Sequence, residues 1–492
     1  MAVSDTAPQT PPGVANDSSD SESLEDFNYV TETALSIALE VCFMETMTVV
    51  KRGLFTELWL MLCLAKRGRR LHPLTEVDLT AERHLPLKLD DNKATELFAV
   101  LPSTLCVLKL QGQSGVGPKG WRELGERLHV GQIPRLTHLS LSHCRLGLAD
   151  VITIFSALPE SLKILELNEI RHAGNGAFQL SAWMPLVSRF SSLTHLRELK
   201  LRVCRLDRDS ASILFSSLPL SLQVLDISGN PTVPSNAWAL LGSAMERGGL
   251  PNLESLDVGK CQLGNEAGLA LFPFLPVSTA RLNLEALSQM GKEGWTSLGS
   301  RLKDLGRLKF LSVRDCRLDV NSKATGLFSC LPASLEHLDI RWNGRMDEET
   351  FDALSNAMGQ QEGLHEGLPR LKTLNANQCS PSPTAAVKFF RALPASLESL
   401  GLIRWYGHGP LDLVARGAWG VLAKKLEEGG LPRLRCLEMQ ACFHVVSDVE
   451  PILTSLPASI EEVFLAGSLS SDSEQVRDLM ERLGRGGVLK DM

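Results

Sequence analysis

The sequence predicts an α/β solenoid: a curved array with a parallel β-sheet on its concave face and α-helices on its convex face. Three observations lead there. Two short phrases alternate along most of the 492 residues, each phrase carries leucines in a strand-like alternation, and each is followed by apolar residues at helical spacing. Strand, helix and parallel strand, repeated many times, build a layered curve in which each unit packs on its neighbours.

The strands come first. One phrase recurs as "LPSTLCVLKL" from 101, "LPESLKILEL" from 158, "LPLSLQVLDI" from 218, "LPVSTARLNL" from 275, "LPASLEHLDI" from 331, "LPASLESLGL" from 393 and "LPASIEEVFL" from 456. Between its copies stand "LTHLSLSHCRL" from 136, "LRELKLRVCRL" from 196, "LESLDVGKCQL" from 253, "LKFLSVRDCRL" from 308, "LKTLNANQCSP" from 371 and "LRCLEMQACFH" from 434. We call these the Pro-Ser and Cys types. Both contain L-x-x-L-x-L, which turns alternate leucines inward from a short strand. With "LTEVDL" at 74 as a degenerate first copy, about fourteen strands are expected.

The helices follow. In the longer connection, from a Pro-Ser strand to a Cys-type strand, an aromatic residue is followed by apolar residues at i+3 and i+7. The aromatics are Trp121, Trp183, Trp238, Trp295, Phe351 and Trp419. That spacing marks one helix face, so the aromatic ladder is expected in the core. Glycine followed by Leu-Pro closes these helices, as in "GGLPNL" and "GGLPRL". Shorter connections such as "DRDSASILFSSLP" open with acidic or Ser residues and carry a second apolar helix.

The ends complete the division. Residues 1–29 are acidic and rich in Pro and Ser, which predicts a disordered tail with no secretory signal. Residues 30–70 look helical and read as an N-terminal cap. Residues 71–492 form the repeat domain, with Val476, Leu479 and Leu483 marking a C-terminal capping helix.

Alternating copies of L-x-x-L-x-L-x-x-N/C-x-L with helical connections resemble the ribonuclease-inhibitor-like class of leucine-rich repeat proteins. The resemblance covers about residues 70–490. It implies a leucine-rich repeat solenoid, a horseshoe, that binds a protein partner on its concave face and rims.

Composition narrows the function further. Fifty basic against 57 acidic residues leave a formal charge of −7, which disfavours nucleic acid as a partner. The most apolar run, "LFTELWLMLCLA", is too short to cross a bilayer, which takes roughly 20 residues. Eleven cysteines without a secretory signal read as reduced thiols in an intracellular, cytoplasmic protein.

Chemistry-bearing patterns were weighed against structural readings. Gly115, Gly117 and Gly120 have the G-x-G-x-x-G spacing of a dinucleotide turn, between a strand and a helix. Other repeats have the same strand-turn-helix context without the glycines, and Pro118 removes one amide donor, so a rim loop is expected and no cofactor. Cys144, Cys204, Cys261, Cys316, Cys379 and Cys442 recur every second strand, about 10 Å apart, too far to share a metal or a disulfide. They read as buried thiols satisfying the turn after each strand. There is no phosphate loop, C-x-x-C, H-E-x-x-H or G-x-S-x-G, so no enzyme, metal or catalytic residue is predicted.

What remains is the concave face. The x positions flanking the last two apolar residues of each strand give Glu166, Lys200, Arg202, Asp226, Asp257, Arg314, Asp315, Asp339, Arg341 and Trp342, then Arg404 and Trp405. Trp342 and Trp405 lie outside the helix ladder, in the echoing strings "DIRWNG" and "LIRWYG". Such a face is either a solvated charged sheet or a partner-binding surface, since Arg and Trp are enriched among interface hot spots. The leading expectation is a non-enzymatic protein-binding scaffold. Two alternatives stay open: a regulator of an enzyme such as a small GTPase, and an adaptor that recruits substrates to a ubiquitin ligase through residues 30–70.

Overall fold

The structure, a computed structural model, describes residues 49–50, 75–81, 89–172, 178–319, 324–344, 346–359, 367–405, 413–443, 446–465 and 473–490. Fourteen three-residue strands, from Glu76–Asp78 to Glu462–Phe464, stand where the leucine pattern expects them. All pair in parallel with their neighbours, in chain order. Two further strands extend this sheet to sixteen among the described residues: Val49–Val50 at one end and Leu489–Lys490 at the other. Within the 30–70 segment expected to be helical, Val49 and Val50 thus form a strand on Glu76–Val77; the rest of that segment and the 1–29 tail lie outside the described residues.

Each strand buries its central residue, as in Ile164–Leu165–Glu166, and leaves the flanking pair half exposed on the concave side. The pairing keeps one register throughout, Leu199 on Leu225 and Leu225 on Leu256, so the central leucines stack into a continuous row. Behind the sheet, longer helices such as Pro118–His129, Ser235–Glu246 and Lys292–Leu302 alternate with shorter ones such as Leu148–Ser156 and Arg208–Ser216. The aromatic ladder Trp121, Trp183, Trp238, Trp295, Phe351 and Trp419 is buried on the inner side of the longer helices. Phenylalanines of the shorter helices pack against it, Phe98 on Trp121 and Phe215 on Trp238. Leu483, assigned by pattern to the capping helix, falls one residue beyond Ser473–Arg482 and stays partly exposed, whereas Val476 and Leu479 are buried.

Two clamps join successive repeats. In the Pro-Ser repeats the serine hydroxyl donates to a carbonyl of the preceding Cys-type repeat: Ser161 to Leu136, Ser221 to Leu196, Ser278 to Leu253, Ser334 to Leu308, Ser396 to Leu371 and Ser459 to Leu434, at 2.7–2.8 Å. In the Cys-type repeats the thiol donates to the last apolar residue of the preceding Pro-Ser strand. Cys144 reaches the Leu110 carbonyl at 3.0 Å, Cys261 that of Ile227 at 3.1 Å and Cys379 that of Ile340 at 3.0 Å. A third contact comes from the longer helices, where Arg127, Arg189 and Arg301 donate to the carbonyls of Leu101, Leu158 and Leu275, each just before a proline. These carbonyls lie at the ends of the short helical segments, where no intrahelical donor is available.

Candidate protein-binding surface

The residue that follows each strand by three positions fixes where the chain turns outward. In twelve successive repeats it is Gln113, Cys144, Ile170, Cys204, Asn230, Cys261, Leu287, Cys316, Asn343, Cys379, Trp405 and Cys442. The residue immediately before each has positive φ, from Gly112 at 78° through Lys260 at 59° to Ala441 at 55°. This register assigns the concave residues.

Trp405 leaves the surface under this assignment. It stands in the inward row, 6% exposed, with its indole nitrogen donating to the Ala376 carbonyl and its rings against Phe389, Phe390 and Trp419. The expectation that it faces the partner side is therefore corrected. The strings "DIRWNG" and "LIRWYG" are offset by one residue in space: Trp342, at φ 64°, corresponds to Arg404, at φ 54°, and Asn343 corresponds to Trp405.

The other nominated residues lie on the concave side and fall into two groups. In the first, Glu166 holds Lys200 at 2.9 Å and His138 at 3.5 Å. The His138 imidazole and the Lys200 ammonium keep the Glu166 carboxyl down at about 2. Arg202 is exposed, its backbone amide donating to the Asn168 side chain. Asp226 and Asp257 are direct neighbours across two strands. Asp226 accepts from the Ser228 amide and hydroxyl, and Asp257 from the Gly259 amide and the Asn283 side chain. Burial, and then the charge of Asp226, raises the Asp257 carboxyl above its ordinary range.

The second group lies farther along. Arg341 forks onto Asp339, with its closest contact at 2.6 Å. Arg314 lies 3.6 Å from Glu285 and 5.9 Å from the centre of the Trp342 ring. Trp342 is 47% exposed, whereas the other tryptophans of the described residues are buried. Arg404 is exposed. Glu166 and Arg404 are eight strands apart, on the order of 40 Å, so the nominated residues form no single pocket.

The sequence reading missed a third concave row, the first residue of each strand. Arg281 and Phe310 are register partners there, with the guanidinium 3.6 Å from the ring centre. The signal was present: that position is the x just before the second leucine of L-x-x-L, and it points to the same side as the x after it.

The glycine motif has a structural occupant. The helix Pro118–His129 starts at Gly117 without a side-chain cap of its own, and the Gly120 amide donates to the Asp91 carboxylate at 2.7 Å. A Cβ at Gly117 would meet Asp91 Cγ at 2.7 Å, and one at Gly120 would meet Ala94 Cβ at 2.9 Å. These glycines let one repeat settle on the preceding one, and a phosphate would have to displace Asp91. "GKEGW" is a second copy, in which the Gly294 amide donates to the Asn265 side chain at 2.7 Å.

The thiols are held in their protonated form. Burial pushes Cys144, Cys261, Cys379 and Cys442 up to about 12 and raises Cys204 and Cys316 in the same direction. A thiol that donates to a carbonyl is neither nucleophile nor metal ligand. Among the described residues no group of three or more His, Cys, Asp and Glu is placed to hold a metal ion, and no helix is long and apolar enough to cross a membrane.

A family model described as Leucine Rich repeat matches residues 249–272, which span the strand Ser255–Asp257 and the helix Asn265–Leu271. No curated protein matches the chain. Among solved structures, the chain is similar to the Rad7 and Elc1 complex in yeast at 16% identity and TM-score 0.46, over 91% of each chain. It is similar to an internalin of Listeria monocytogenes at 12% identity and TM-score 0.40, over 81% of this chain and 88% of that one. It is also similar to the leucine-rich repeat-containing protein LegL7 of Legionella pneumophila at 15% identity and TM-score 0.36, over 71% of this chain and 98% of that one.

Proposed function

We propose that this leucine-rich repeat solenoid is a protein-binding scaffold without catalytic activity, and that its partner docks on the concave side around Arg314 and Trp342. Trp342 carries the reading. It exposes a large aromatic surface at a backbone φ of 64°, a conformation that costs a non-glycine residue of order 1 kcal/mol, and its ring adds nothing to the core. An exposed Trp beside an Arg is the composition of an interface hot spot, and the half-paired charges around it suit orientation of a partner. The buried thiols and the carboxylates tied into hydrogen bonds support a binding role over chemistry.

The test is affinity purification of the wild type beside a variant with Arg202, Arg314, Arg341 and Trp342 changed to Ala. Specific partners are expected to be lost from the folded variant; retention of every partner sinks the concave-face reading.

A further inference from the structure

The row of residues just after the inward-facing turn position is neutral or polar in most repeats, as at Gln262, Ser288 and Gly344. In three consecutive repeats it is arginine: Arg145 after Cys144, Arg171 after Ile170 and Arg205 after Cys204. All three are exposed. Here, on the rim, Arg145–Leu146 and Arg171–His172 form a second, two-stranded parallel sheet in which Arg145 is the register partner of Arg171. Leu146 is buried, so the arginine face is the outer one.

The two guanidinium stems therefore start one strand spacing apart, about 4.8 Å, on one face. Like charges directly opposite each other in a ladder destabilise it. Acidic neighbours answer this only in part. Glu169 lies 3.3 Å from Arg171 and is shared with His143, also at 3.3 Å. Asp207, at the foot of Arg205, caps its own helix through the Ser210 amide. Arg145 makes no ion pair among the described residues, and its carbonyl is taken by the Trp121 indole.

We propose that this rim binds an acidic polypeptide segment whose carboxylates seat on Arg145, Arg171 and Arg205. An extended chain presents alternate side chains on one face every 6–7 Å or so, a spacing that long arginine stems bridge, and each guanidinium offers a planar fork to a carboxylate. The chain's net charge of −7 disfavours a nucleic-acid backbone as occupant. This surface is separate from the concave site around Trp342.

The experiment uses the full chain and two fluorescein-labelled decapeptides, one alternating Glu and Ser, the other alternating Lys and Ser, read by fluorescence anisotropy at low and high salt. The Glu peptide should bind and weaken with salt, and the Lys peptide should not bind. The double variant Arg145→Gln/Arg171→Gln should bind the Glu peptide about tenfold or more weakly, with an unchanged melting temperature. If that variant melts early, Arg145→Lys/Arg171→Lys decides: it keeps the charge, loses the fork, and should fall between the wild type and the Gln variant. Arg314→Ala/Trp342→Ala should bind the Glu peptide like the wild type, so failure here and failure of the concave-face reading are told apart. The inference is overturned if the wild type ignores the Glu peptide, if it binds the Lys peptide equally well, or if the rim variants bind unchanged.

Discussion

The indole nitrogen of Trp405 donates to the main-chain carbonyl of Ala376 at 2.6 Å, so an aromatic ring performs in one repeat the role that a thiol performs in its neighbours. Its rings fill a space shared by Phe389, Phe390 and Trp419. Trp405→Ala should therefore lower stability by about 3–5 kcal/mol, and Trp405→Phe, which loses mainly the hydrogen bond, by about 1 kcal/mol. Urea unfolding followed by circular dichroism checks both.

Trp342 should behave in the opposite way. Glycine accepts its left-handed backbone without the steric cost, so Trp342→Gly should leave stability unchanged or raise it by up to about 1 kcal/mol while abolishing partner capture. A parallel melting curve and pull-down would show the two effects separating; a large loss of stability would make Trp342 a packing residue.

Asn343 is a buried junction between two repeats. Its side-chain nitrogen donates to the Val313 and Ile340 carbonyls at 2.9 and 2.8 Å, and its oxygen accepts from the Cys316 amide at 3.0 Å. Asn343→Leu leaves several of these groups buried and unpaired, each costing about 1–3 kcal/mol. The expected outcome is a drop in the denaturation midpoint together with faster amide exchange at Cys316.

Acid should loosen the first half of the concave face. The folded chain holds the Glu166 carboxyl at about 2 against an ordinary 4.5, because His138 and Lys200 favour its charged form. Glu198, also near Lys200, is the other acid in this group. The folded state therefore binds fewer protons than the unfolded one. The Glu166 contribution is complete above about pH 4.5 and is lost as pH falls toward 2. Solvent screening of a partly exposed group reduces it to about 1 kcal/mol. Glu166→Gln should flatten the stability profile in that window, measured as urea midpoints at successive pH values.

The inward thiols should resist alkylation. With Cys144, Cys261, Cys379 and Cys442 pushed up to about 12, iodoacetamide at mildly alkaline pH should label the half-buried Cys106, Cys330 and Cys436 first. Mass spectrometry of the native and urea-unfolded chain gives the order; early labelling of Cys379 would contradict its bond to the Ile340 carbonyl.

Much of this was legible in the leucines. Period-two alternation has one physical solution when one face is buried, so all fourteen strands from Glu76–Asp78 to Glu462–Phe464 could be placed by inspection. The aromatic ladder and the alternate cysteines were equally readable, because each recurs at a fixed offset from a strand. Register beyond the strand was not. "IRW" occurs twice, but the second copy begins one position early relative to its strand, and a one-residue shift sends a side chain from solvent to core. Val49–Val50 and Leu489–Lys490 lack the leucine signature and join the sheet only through backbone pairing, which leaves little trace in side-chain identity. The serine of the Pro-Ser phrase was visible from the outset, but its partner, a carbonyl 25 residues upstream, was not.

The two clamps alternate strictly, a hydroxyl reaching back from one kind of repeat and a thiol from the other. Removing a single repeat would bring two units of one kind together and lose a donor that the new neighbour cannot supply, while long and short helices would no longer nest. The smallest segment that can be excised or duplicated with its seams intact is thus a pair, so the chain should lengthen or shorten in steps of two. An odd number of units would leave a scar at the junction, detectable as a locally weak point in hydrogen exchange.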